Sequence, residues 1–129
     1  GLLAKPSKED RAKVESIISR LDLQELAQSI FQNLSDGEKQ LVMIGRALVQ
    51  DTPVILLDEP GAFLDLVNRV RIVELLSKVA EESKKLILFS THHIDILDEH
   101  CQGALLISEG KMELLESDYE AEIRKAFGL

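Results

Sequence analysis

The run Thr52-Pro53-Val54-Ile55-Leu56-Leu57-Asp58-Glu59-Pro60 constrains the fold more than any other stretch of this chain. Four consecutive apolar residues opened by a proline are too few for a helix and are expected to form a buried strand. The strand then stops in two adjacent carboxylates and a second proline. Ionised carboxylates are costly to bury without partners, so these are expected at the strand's carboxyl end, where open α/β sheets bind ligands. An acidic side chain there can hold Mg²⁺ through water, and its neighbour can accept a proton. Nucleoside triphosphate hydrolysis needs both groups. Alone, the run also reads as a buried strand closed by an acidic, proline-containing turn.

Upstream, Leu34-Ser35-Asp36-Gly37-Glu38 precedes an apolar-periodic segment containing Leu41, Ile44 and Leu48. Ser35 and Glu38 make a Ser-x-x-Glu capping box, which marks a helix start. A helix N-terminus with a hydroxyl and a glycine offers free N–H groups and a positive dipole end to a phosphate. By itself it is a well-capped surface helix; its place one helix ahead of the acidic strand makes it informative. Downstream, Lys85-Leu86-Ile87-Leu88-Phe89-Ser90 reads as another buried strand, followed by Thr91-His92-His93. A histidine at that edge could contact a terminal phosphate and an attacking water; alone it is an ordinary loop residue.

Around these motifs the pattern predicts a helix capped by Ser7, with Val14, Ile17, Ile18 and Leu21 on one face, then a helical piece from Leu23 to Ser29. From Val54 it alternates: strand, helix (Leu66 to Glu82), strand, helix (Ile94 to Cys101), strand (Ala104 to Ile107). Glu109-Gly110 then turns the chain into a short strand near Met112 to Leu115, and a helix from about Asp118 closes it. Such alternation implies a parallel sheet with right-handed crossovers. The expected fold class is α/β, a partial parallel sheet with crossover helices behind a helical opening.

A chain of 129 residues with 45% hydrophobic content can bury one core. Its net charge of −8 argues against nucleic acid or anionic lipid as a direct partner. No apolar run approaches the roughly 18 residues of a membrane span, so no direct membrane insertion is expected. The single cysteine, Cys101, excludes an internal disulfide and reads as a small apolar residue. His92, Asp95 and Glu99 could share a helical face and hold a transition metal, although structural sites usually draw ligands from separate elements. Otherwise these acids form a solvated face, and Glu81-Glu82-Ser83-Lys84-Lys85 an exposed helix end.

Taken in order, the capped glycine turn, the acidic strand, Phe63-Leu64-Asp65, and the strand with its histidine resemble the ATP-binding cassette (ABC) family of transport ATPases. Leu34 to Glu38 is similar to the family signature motif, Val54 to Glu59 to its Walker B strand, Phe63-Leu64-Asp65 to its D-loop, and Thr91-His92 to its switch histidine. The resemblance runs from about Leu34 to Met112. Lys5-Pro6-Ser7 to Leu26, Gln50-Asp51-Thr52-Pro53 and Asp65-Leu66 further resemble importers of iron-siderophore, heme and cobalamin.

That resemblance implies a set of roles. Glu59 is the general base or water-polarising carboxylate, Asp58 organises Mg²⁺ through water, and His92 holds the γ-phosphate and the water in line. Ser35, Asp36, Gly37 and Glu38 contact ATP held by a second ATPase subunit of a homodimer, with Asp65 at the same interface. ATP and Mg are the cofactors. Transmembrane permease subunits are the other partners, which places the protein in the cytoplasm at the inner face of the membrane. Residues 1–50 correspond to part of a helical subdomain, and residues 51–129 to the carboxyl-terminal part of the ATPase core.

The chain departs from the family at several points. Asp36 stands where the signature usually has its first glycine, Gly61 where a threonine usually follows the Glu-Pro pair, and His93 where an aspartate usually follows the switch histidine. No Gly-x-x-x-x-Gly-Lys-[Ser/Thr] occurs, nor any counterpart of the family's glutamine loop or adenine-stacking aromatic. The chain is therefore expected to be a fragment lacking the Walker A loop, inactive on its own, with exposed strand edges and an apolar face. The alternative is a non-hydrolytic protein-interaction module.

Overall fold

The computed structural model describes residues 5–128, and its first element is a helix closed at its start by a reciprocal cap. Helix α1 (Lys8–Arg20) begins at Ser7, whose Oγ accepts from Asp10 N (3.0 Å) while Ser7 N donates to Asp10 Oδ2 (2.8 Å). Two donors that no helical carbonyl can reach are thereby satisfied. The chain then passes through 3₁₀ turns at Gln24–Leu26 and Phe31–Asn33. The helical piece expected from Leu23 to Ser29 is only the first of these turns. Asp22 lies in the left-handed region at φ 55°, and so short a segment cannot offset helix nucleation.

Helix α2 (Asp36–Val49) leads to strand β1 (Val54–Leu57), then helix α3 (Leu66–Ser83) and strand β2 (Leu86–Phe89). The two strands pair in parallel with Ile55 opposite Ile87 and Leu57 opposite Phe89, and α3 is the crossover between them. Their inward side chains join one core with Leu21, Leu23, Ile44, Leu48, Leu64, Ile72, Leu76 and Val79. Helices α1 and α2 thus share a core with the sheet.

Two expectations need correction. Among the described residues the parallel ladder has two strands: β3 (Ala104–Ser108) pairs antiparallel with β4 (Lys111–Leu115) in a separate hairpin. Its turn residues Glu109 and Gly110 both have positive φ, the geometry of a two-residue hairpin. Nor are the strands buried on both sides, as the apolar run alone suggests; they carry the exposed apolar face expected of a chain lacking neighbouring strands. Val54 and Leu56, with their register partners Leu86 and Leu88, form a bare apolar face opposite the core, and Leu56 is 72% exposed. Leu105, Ile107, Met112 and Leu114 form a second exposed apolar face on the hairpin.

The carboxyl-terminal part has its own small cluster of Leu97, Leu115 and Tyr119. Instead of one helix from Ile94 to Cys101 there is a 3₁₀ turn, Ile94–Ile96, running into the single helical turn α4 (Leu97–His100). Asp98, expected on a solvated face, caps the last helix, α5 (Tyr119–Phe127), from outside: Oδ1 accepts from Tyr119 N (2.6 Å) and Oδ2 from Glu120 N (3.3 Å). The local residue Asp118 is in a left-handed conformation and makes no side-chain cap, so the distant carboxylate takes its place. Half-buried Cys101 packs on this cluster, and burial together with the nearby Asp98 charge pushes its thiol pKa up. A thiol so held is a poor nucleophile.

Ion pairs fasten α1 to the sheet. Asp51 accepts from Lys13 Nζ (3.0 Å) and from Lys85 Nζ (2.7 Å), and the lysines hold its carboxyl at about 2. Lys85, expected at an exposed helix end, has a side chain only 10% exposed and also donates to Thr52 O. Lys84 in a left-handed conformation ends α3 and turns Lys85 inward. Stability rests mainly on the shared core, where Leu76 is 2% exposed on the inner face of α3. Leu76→Ala is expected to cost about 2–5 kcal/mol through lost burial and the cavity left behind. Urea denaturation reads the change as a lower midpoint at unchanged slope.

Candidate functional site

Parallel pairing brings the two strand ends together. Because Leu57 lies opposite Phe89, the residues that follow, Asp58 and Ser90, leave the sheet side by side. Ser90 Oγ donates to Asp58 Oδ1 (2.5 Å) and accepts from Glu59 N (2.9 Å), using the hydroxyl both ways. Glu59 has φ 45°, which few non-glycine residues adopt. Its backbone is held at both ends, by Ser90 at the N–H and by Gln40 Nε2, which donates to its carbonyl (3.4 Å). The backbone turn aims the side chain at His92, whose Nε2 lies 3.0 Å from Glu59 Oε1. Glu59 and His92, read separately from the sequence, thus meet at the carboxyl edge of the parallel pair, and Ser90 ties the Asp58 side chain to the Glu59 backbone there.

Asp58 has one oxygen on Ser90, and its other oxygen makes no hydrogen bond among the described residues. A hard oxygen donor with one free oxygen suits hydrated Mg²⁺. The other metal reading is not supported. Among the described residues no three His, Cys, Asp or Glu side chains gather as ligands, because the helix that would align His92, Asp95 and Glu99 is broken into two turns.

The capped turn approaches the same region from α2. Ser35 Oγ accepts from Glu38 N (3.3 Å) and donates to Glu38 Oε2 (2.8 Å), which also accepts from Ser35 N (2.7 Å). These bonds lower the Glu38 pKa, so this carboxyl stays ionised. Asp36 is the first residue of α2, where a negative charge complements the helix dipole, and it lies 3.7 Å from Lys39 Nζ. Gly37 faces the loop after β1: a Cβ there would come 3.1 Å from Phe63 O and 3.4 Å from Leu64 Cδ2. The signature-like turn and the D-loop-like segment therefore touch within one chain. Asp65 caps α3, its Oδ1 accepting from Asn68 N and its Oδ2 from Asn68 Nδ2 (both 2.9 Å). Its charge is thus spent partly inside the chain.

Three residues here escaped the sequence reading. Ser90 had a signal, since two parallel strands of equal length place it beside Asp58. Gln40 and Arg69 had none, because each acts across the fold. Arg69 links two loops, with Nη2 donating to Leu64 O (3.1 Å) and Nη1 bonded to His93 Nδ1 (3.1 Å).

This architecture, with paired parallel strands, their crossover helix and an acidic carboxyl edge, is that of a partial P-loop NTPase domain. A profile of the ABC transporter family matches residues 3–62. The cobalamin import ATP-binding protein BtuD of Halobacterium salinarum is 31% identical over 103 residues, covering 80% of this chain and 26% of that protein. A structure described as a metal-chelate type ABC transporter in an inward-facing conformation superposes with TM-score 0.82 at 29% identity, covering 100% of this chain and 53% of that one. The dimeric, post-hydrolysis ATP-binding cassette MJ0796 bound to ADP and Pi matches with TM-score 0.73 at 30% identity, covering 85% of this chain and 48% of that one. The chain belongs to the ABC transporter ATPase family. It spans between about a quarter and a half of the curated relatives it matches.

Proposed function

We propose that this chain is the portion of an ABC importer ATPase that follows the phosphate-binding loop, and that the complete protein hydrolyses ATP with Asp58, Glu59 and His92. The observation that carries this reading is the 3.0 Å approach of His92 Nε2 to Glu59 Oε1 at the ends of paired parallel strands. The share of each relative that the chain spans supports the reading as a portion. In this reading Glu59 takes up the proton of the attacking water, and its fixed backbone keeps the carboxylate aimed. His92 orients that water and the terminal phosphate by hydrogen bonding. Asp58, anchored by Ser90, holds a water of the Mg²⁺, which when bound neutralises phosphate charge. Residues 1–50 act as part of the helical subdomain and residues 51–129 as the carboxyl-terminal part of the core.

Ser35, Asp36, Gly37 and Glu38 serve the ATP held by a second copy, with Asp65 at the shared boundary. The likeness to a dimeric cassette supports that arrangement. Iron-siderophore, heme or cobalamin is the proposed solute, supported by the likeness to a cobalamin import protein and a metal-chelate type transporter. Among the described residues no helix is long and apolar enough to cross a membrane. Placement at the inner membrane face then falls to permease subunits. Phosphate release from Mg-ATP by the complete protein tests the reading. His92→Ala is expected to lower it more than tenfold with nucleotide binding retained, and undiminished release by the variant overturns the assignment.

A further inference from the structure

Two departures from the family pattern, Gly61 and His93, lie on different loops, and both touch the side chain of Arg69. From the start of α3 that side chain runs back over the helix N-terminus, and its guanidinium bridges Leu64 O and His93 Nδ1, each at 3.1 Å. Arginine only donates, so the ring nitrogen accepts and His93 carries its proton on Nε2. Arg69 Nε is buried with no partner, an unmet donor that works against the folded state. A Cβ on Gly61 would come 2.7 Å from Arg69 Cγ and 3.3 Å from Cδ. Because Cγ is near the stem, relieving that contact swings the fork away from both acceptors.

We propose that Arg69 is a positioning residue that couples the loop bearing Leu64 and Asp65 to the loop bearing His92, with Gly61 making room for it and His93 receiving it. The inference rests on the reading of His92 and Glu59 as groups acting on ATP and names what holds them. The His92 side chain is 93% exposed, so it has little packing of its own to fix it against Glu59. Its neighbour supplies the anchor: His93 N donates to Thr91 Oγ1 (3.0 Å), closing a tight turn, and Arg69 pins the His93 ring. Motion of the segment around Asp65 is thereby transmitted to His92 through one guanidinium. The threonine usual at position 61 is incompatible with this link.

The test uses the complete protein. Arg69→Gln and Gly61→Thr are each expected to lower kcat for ATP about tenfold to a hundredfold, as for a misplaced reacting group, with KM within about twofold. The double variant should be no worse than the more damaging single one, because both remove the same link. Arg69→Lys, which keeps one donor, should recover part of the rate. Imidazole nitrogen spectra, assigned with His93→Gln, should show the Nε2-protonated ring in the wild type and a tautomer mixture in Arg69→Gln. Unchanged kcat in both single variants, or additive losses in the double, overturns the coupling where His92→Ala does slow turnover. If His92→Ala does not, the functional reading falls, and the nitrogen spectra decide the link alone: a mixture of tautomers in the wild type overturns it, and a fixed ring released by Arg69→Gln upholds it.

Discussion

Glu59→Gln in the complete protein is expected to slow ATP turnover by about 10²–10³-fold, the scale seen when one preorganised group is removed from an active site, with nucleotide still bound. The substitution changes almost nothing except charge and basicity. Glutamine has the length of glutamate, and the backbone that aims it is fixed independently by Ser90 at the N–H and Gln40 at the carbonyl. The side chain is 28% exposed and contacts His92, so an amide fits without repacking. An amide accepts a hydrogen bond but cannot take up the proton of the attacking water, so the loss should fall on kcat and not on KM. Single-turnover phosphate release with separately measured nucleotide binding makes the distinction. Wild-type release rates from the variant would remove Glu59 from the mechanism and leave the strained turn at φ 45° without a functional account.

Features that depend on residues a few positions apart were legible in the sequence. Both Ser-initiated caps formed at Ser7 and Ser35, and β1 and α3 followed the apolar pattern. The carboxylates Asp58 and Glu59 stand at the strand end, and His92 stands beside them because equal strand lengths align the two edges. What escaped depends on tertiary contact. An apolar run of four cannot by itself say whether one or both faces are covered; the bare face of Val54, Leu56, Leu86 and Leu88 was legible only through the resemblance to a longer domain. The alternation of helix and strand points β3 to the parallel sheet, whereas Glu109-Gly110 makes pairing with β4 local and tight. In the sequence Asp98 has no visible partner, because the helix it caps begins beyond a hairpin. Arg69 was invisible for the same reason: an arginine one turn into a helix acquires its role only when Leu64 and His93 converge on it.

Ser35→Arg in the complete protein is expected to abolish ATP-dependent pairing of two copies while leaving the monomer folded. Ser35 sits at the tip of α2, where its hydroxyl and N–H are tied to Glu38, while the first N–H groups of the helix have no helical carbonyl to reach. If that tip caps ATP held by a second copy, two-fold symmetry places the same residue in both shared sites, so one substitution damages both. Arginine fills the approach with a long side chain and deletes the cap. The cap itself accounts for only about 1 kcal/mol, which separates folding from pairing. Ser35→Ala is the control, because it removes the cap bond without bulk. It should lower stability by a similar small amount yet still pair, because the first N–H groups of the helix remain available to a phosphate. Light scattering with Mg-ATP, alongside thermal unfolding of the apo protein, reads both effects. Pairing by Ser35→Arg at wild-type strength would place the second copy elsewhere, and the close approach of Gly37 to Phe63 O would then stand as packing within one chain.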